Sequence, residues 1–170
     1  MISGRTKKMI ISFDKIPASL DELKALPEAS LKEPEFGAAL FVAAMMNYKD
    51  DPDKAISMLE FLKGPAGVSV YEKQFIKDRL SDGKDYVIRS YFAGTSPEND
   101  YTPSMPYTVS PEKDAASEDN GRIRIFMRSS GADSPRMIRM RLKASTGEWF
   151  IEEEMILSDI RIPKSSDPWA

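Results

Sequence analysis

The chain has no cysteine and no histidine in its 170 residues. The first absence removes disulfides, thiolate nucleophiles, iron–sulfur clusters and cysteine zinc sites. The second removes the commonest general base and metal ligand among side chains. Much of enzymology is thereby excluded. Long apolar runs are missing too: Arg5, Lys7 and Lys8 precede only Met9-Ile10-Ile11, far short of a secretion signal or a membrane span. A soluble, cytoplasmic protein with no membrane contact is expected. The net charge is -3, and Phe126 is the only aromatic among the basic positions of 122–143, which argues against a long phosphate-tracking surface and against nucleic acid as a partner.

What is present suits a globular domain. With 41% hydrophobic and 30% charged residues, a chain of this length buries one ordinary core without needing a staple. Residues 1–17 read as an N-terminal extension ahead of a single domain over 18–170. No repeat or long linker divides the remainder.

The first half carries helical signals. Ser19-Leu20-Asp21-Glu22 and Ser69-Val70-Tyr71-Glu72 have capping-box spacing, in which a serine and the residue three positions on satisfy orphan amides. Pro34 suits the first turn of a helix that contains Gly37–Met46, apolar on every side, so that helix is expected at the centre of the molecule. Asp51-Pro52 opens a third helix with Ala55, Ile56, Leu59 and Leu62 at helical spacing, ended by Gly64-Pro65. The fourth is expected to bury Val70, Ile76 and Leu80. In the second half the period changes to two, giving strands at 86–92, 107–109, 122–128, 137–143 and 149–157. The proline-bearing stretch 94–106 and the polar stretch 111–120 read as loops. Helices followed by strands predict an α+β fold, with about four N-terminal helices on one face of a C-terminal antiparallel sheet of about five strands.

Charge is segregated in that sheet. Residues 122–143 hold seven basic side chains and one acidic one, whereas 148–159 hold five acidic and no basic ones. Alternation places Arg122, Arg124 and Arg128 on one strand face and Arg139 and Arg141 on the facing strand. A hairpin that pairs apolar with apolar residues would set Arg124 beside Arg141 and Phe126 beside Arg139. A turn at 144–147 would then pair Leu142 with Trp149 and Arg139 with Glu152. The face is either laced with ion pairs or open to an acidic protein or small anion. Glu153 is the misfit, because the alternation of Trp149, Ile151, Met155 and Leu157 carries it inward. A bulge, a place at the sheet rim, a pair with an arginine such as Arg89, or a pocket carboxylate would each account for it.

Other patterns are weaker. Ser129 to Arg136 could cradle an anion but matches no phosphate loop. Asp50, Asp51 and Asp53 lack the ligand spacing of a calcium loop, so no metal and no cofactor are expected. Tyr101 and Tyr107 in the proline-bearing region either anchor the loop to the sheet or contact a partner. Trp169 is expected to dock against the body or a partner.

The stretches SLKEPEFGAALFVAA, FLKGP, RSYFAGTSPENDYTP, SGADSPR and LSDIRIPKSSDPWA, between residues 30 and 170, resemble an uncharacterised bacterial family of the domain-of-unknown-function type. The resemblance implies a soluble domain ending at its natural C-terminus and supplies no catalytic residues. The leading expectation is therefore a non-catalytic interaction or ligand-binding module with a basic sheet face. The alternative is a small hydrolase or isomerase that uses Glu153 in a helix–sheet pocket.

Overall fold

The computed structural model describes residues 6–170. Two short strands come first, β1 (Thr6–Lys8) and β2 (Ile11–Phe13). Five helices follow: α1 (Leu20–Lys24), α2 (Pro34–Met45), α3 (Pro52–Lys63), α4 (Val70–Leu80) and α5 (Tyr86–Arg89). The chain then returns to strands β3 (Tyr107–Val109), β4 (Glu112–Asp119), β5 (Arg122–Met127), β6 (Arg136–Lys143) and β7 (Glu148–Glu154). The fold is α+β, but its helices lie between strands rather than wholly ahead of them. A five-stranded antiparallel sheet runs in the order β1-β4-β5-β6-β7, and β2 pairs with β3 in a separate ribbon.

The α2 helix begins at Pro34, whose missing N–H costs nothing in a first turn. From Gly37 to Met45 every residue is buried, as the all-round apolar pattern required. Gly37 lets the helix sit close to the sheet, since a Cβ there would stand 2.7 Å from Met140 Cε and 3.6 Å from the Trp149 carbonyl. Against α2 the sheet presents Ile123, Ile125, Ile138, Met140, Trp149 and Ile151, all buried. Asp51 caps α3, its carboxylate accepting the Lys54 N–H at 3.2 Å. Ser69 and Glu72 complete a reciprocal capping box on α4.

Several expectations are corrected. Residues 86–92 are not a strand: the buried set Val87, Ile88, Tyr91 and Phe92 recurs at i, i+1, i+4 and i+5, a helical spacing, and forms α5 with the turn that follows it. The polar stretch 111–120 is not a loop but contains β4, whose buried side chains are carboxylates. Hydropathy could not reveal it. Within the stretch 1–17, whose place relative to the domain the sequence leaves open, Ile11 and Phe13 lie in the core; residues 1–5, including Arg5, lie outside the described residues. Val70 is 82% exposed rather than buried, and Trp169, 92% exposed, does not dock against the body.

Candidate functional site

The outer face of the large sheet assembles the predicted arginines, with a different register. Arg124 lies opposite Arg139, Arg122 opposite Arg141 and Phe126 opposite Met137. The shift is two residues, which leaves every side chain on its expected face. The β5–β6 connection sets this register. In it Ser129 donates to Ser90 Oγ at 2.6 Å, and the Ser130 N–H donates to the Ser90 carbonyl at 2.9 Å. The serine-rich segment considered as an anion cradle is therefore engaged with the end of α5.

Carboxylates from both sides then meet the arginines. From β4, Asp114 pairs with Arg124 at 3.1 Å and Glu112 with Arg128 at 2.8 Å; from β7, Glu152 pairs with Arg122 at 2.8 Å and with Arg139 at 3.6 Å. Glu153 pairs with Arg139 at 3.1 Å. Among the described residues only Arg141 of the five candidate arginines has no carboxylate partner. The basic face is thus largely neutralised by acids that flank it in space.

Glu153 itself points outward. Leu142 pairs with Trp149 as expected, and Met140 with Ile151, but the next residue back, Arg139, pairs with Glu153 rather than Glu152. Two residues of β7 therefore face one of β6. This bulge re-aims the strand: Glu153 joins the polar face, and Glu154 falls opposite the buried Ile138, on the side of the helices. Arg89, considered as a partner for Glu153, instead pairs with Asp85 and donates at 3.1 Å to the carbonyls of Tyr101 and Asp100.

Glu154 lies in a cleft of about 470 Å³ between α3, α4 and the free edge of β7. Its apolar lining is Leu59, Phe75, Ile76 and Ile151, with Tyr71 and Met155 at the mouth. Lys63 crosses the cleft almost fully buried, donating to Glu72 Oε2 at 2.8 Å and to the Glu152 carbonyl at 3.1 Å. The bulge and the α3–α4 pair are thereby tied together. Glu72 has a second task, accepting the Ser69 N–H at 3.3 Å in the capping box.

The Glu154 carboxylate accepts the Ile156 N–H at 3.1 Å and, among the described residues, has no lysine or arginine in ion-pair reach. Burial drives its pKa up to about 7. The Ile156 N–H is the main opposing influence; the Glu72 and Glu153 carboxylates add to the rise and Lys63 draws it back. The cleft thus combines apolar walls, one satisfied cation and one carboxyl that titrates near neutrality.

The two candidate tyrosines take different places. Tyr101 is fully buried, its hydroxyl donating to the Arg161 carbonyl at 2.5 Å and its ring stacked on Tyr86. Its side chain offers nothing to a partner. Tyr107 is half-buried in β3, edge-on to Phe92. The sequence reading missed Glu154, Lys63 and Glu72. For Lys63 a signal existed: it follows Leu59 by four residues and so belongs to the apolar stripe of α3.

The matched family model is that of a domain of unknown function, DUF6935, and it covers residues 15–164. The chain belongs to this family. The match takes in all of the cleft and, of the large sheet, strands β4 to β7. No curated protein and no solved structure matches the chain. Two further observations bound the chemistry of this DUF6935 chain. Among the described residues, no three carboxylates converge as a metal site would require, and no helix is long and apolar enough to cross a membrane.

Proposed function

We propose that the protein is a non-catalytic ligand-binding module whose site is the helix–sheet cleft around Glu154. One observation carries this reading: within an apolar-walled cleft of about 470 Å³, Glu154 is the one carboxylate left without a cation, while its neighbours are held by partners. Burying an uncompensated carboxylate is costly, and a ligand that enters the cleft supplies the missing partner. The outer sheet face supports an acidic protein or anion less well, because four of its five arginines already have carboxylates.

A hydrolase or isomerase is the second reading, now with Glu154 in the place first given to Glu153. Its support is the pKa near 7, which suits a general acid or base. Against it, Lys63, Glu72, Glu152 and Glu153 are all engaged, and the other polar side chain of the lining, Tyr71, is 79% exposed at the mouth rather than held against Glu154. The test is a fragment screen by methyl NMR on the full chain. Fragments should shift the methyls of Met155, Ile76 and Ile151 together, and Phe75→Trp, which fills the cleft, should abolish those shifts. A screen in which no fragment moves these three methyls removes the cleft as a binding site.

A further inference from the structure

The chemistry of the cleft narrows the ligand to one class, an inference that rests on the cleft being the binding site. The groups facing Glu154 come from every element around it. From α3 comes Lys63, already shared between Glu72 and the Glu152 carbonyl. From α4 come Glu72, paired to that lysine, and Tyr71, 79% exposed at the mouth. From β7 come Glu152 and Glu153, held by Arg122 and Arg139 on the far face. The Tyr91 hydroxyl, behind the strand end, donates to the Ile156 carbonyl, and burial holds it well above the ordinary phenol range.

The sum is one negative charge without a partner, set among Leu59, Phe75, Ile76 and Ile151. An anion entering here would meet four carboxylates at or near the cleft, and a lysine already bonded to Glu72 and to the Glu152 carbonyl. A hard divalent cation would find one carboxylate not already paired to a cation, where several oxygens are needed. A neutral apolar molecule would fill the volume and leave Glu154 uncompensated. We propose that the cleft binds an organic ammonium ion with an apolar body. The nitrogen pairs with Glu154, and the apolar part lies against Phe75, Ile76 and Leu59, with the Tyr71 ring at the mouth available to the cation's flank.

Binding is then linked to protonation. The ammonium needs the ionised carboxylate, so the affinity rises as Glu154 loses its proton and falls when it regains it. With a carboxyl titrating at about 7, affinity rises about tenfold from pH 6 to pH 8.

Three isosteric probes test the class: phenethylamine, 2-phenylethanol and phenylacetate, titrated into the full chain and into Glu154→Gln, with the Met155 and Ile76 methyls as the readout. The amine should bind about tenfold more tightly than the alcohol at pH 8. It should lose that advantage in wild-type protein at pH 6 and in Glu154→Gln at either pH, while the alcohol should be indifferent to both changes. Amine and alcohol binding the cleft equally at pH 8 would overturn the ammonium assignment and leave the cleft standing as a site. Preferential binding of phenylacetate would do the same. If none of the three moves the cleft methyls, the binding-site reading falls, and this inference with it. The wild-type pH comparison needs no variant, so the test survives a misfolded Glu154→Gln.

Discussion

Replacing Glu154 by glutamine isolates the energetic cost of the cleft carboxylate. The folded protein raises this carboxyl from an ordinary 4.5 to about 7, chiefly by burial. Between those values the folded state holds more protons than the unfolded chain. Stability therefore falls as pH climbs from about 4.5 to about 7 and is level beyond. At about 1.4 kcal/mol per pH unit the ceiling is roughly 3 kcal/mol. The carboxyl is only partly screened from water at the cleft, which brings the expected figure to about 1–2 kcal/mol. Glutamine keeps the shape and can still accept the Ile156 N–H, but carries no charge. The variant and the wild type should thus be equally stable near pH 4.5, and the variant should be more stable by about 1–2 kcal/mol at pH 8. Urea unfolding at a series of pH values measures this, with Trp149, nearly buried in the core, as the reporter and the exposed Trp169 as a constant background. Difference curves that stay flat within about 0.3 kcal/mol across that range, or that slope the other way, would refute the argument that the carboxyl is desolvated.

Two further substitutions probe the frame around the cleft. Leu40→Ala, at a fully buried position of α2, should cost about 2–5 kcal/mol in urea unfolding, and a loss below about 0.5 kcal/mol would displace α2 from the centre of the core. Arg124→Ala should cost about 1–3 kcal/mol, because Asp114 is buried, its Oδ1 has no hydrogen bond and Arg124 is the cation on its Oδ2; a neutral result would make that pair an ordinary surface contact.

Much of the fold was legible where burial was apolar. The α2 helix announced itself because every side of it is buried, and α3 because Asp51 caps it and Ala55, Leu59 and Leu62 recur at one helical face. The strands β5 and β6 alternate cleanly because one face meets helices and the other meets water. Legibility failed where polar groups are buried by pairing. In β4, Glu112 and Asp114 are buried beneath Arg128 and Arg124, so the strand has the composition of a loop. A turn signal was nevertheless present: Asn120-Gly121, both at positive φ, joins β4 to β5 as a two-residue hairpin turn does. In α5 the apolar residues support two periods over so short a span, and only the tertiary contacts choose the helix.

The cleft was illegible for a related reason. Glu152, Glu153 and Glu154 are chemically identical, so the sequence carries no mark of which one is the extra residue of a bulge. Only the phase of the flanking apolar residues bears on it: Trp149 and Ile151 are buried, then Ile156, an odd step that two-residue alternation cannot produce. The bulge decides which glutamate enters the cleft, and it ties the outer face to the inner one, because Glu152 offers its carboxylate to Arg122 and Arg139 and its carbonyl to Lys63.

That linkage can be tested by deleting Glu152. The remaining glutamates then sit opposite Arg139 and Ile138 in plain alternation, so the sheet and the inward carboxyl survive. Arg122 loses a half-exposed pair and Arg139 the longer of its two, a small cost because both arginines still reach water and Arg139 keeps Glu153. Lys63 loses one of two partners at a buried site, a cost of about 1–3 kcal/mol. Freed on that side, the ammonium is drawn toward the nearest uncompensated charge, the carboxyl of Glu154, and pulls its pKa back toward the ordinary carboxylate range. Carbonyl NMR titration of the deletion variant should therefore show this glutamate ionising well below 7, together with a modest loss of stability. A carboxyl that still titrates near 7 in a protein of unchanged stability would mean that the Glu152 carbonyl does not hold Lys63 in place, and that the pair with Glu72 alone sets the electrostatics of the cleft.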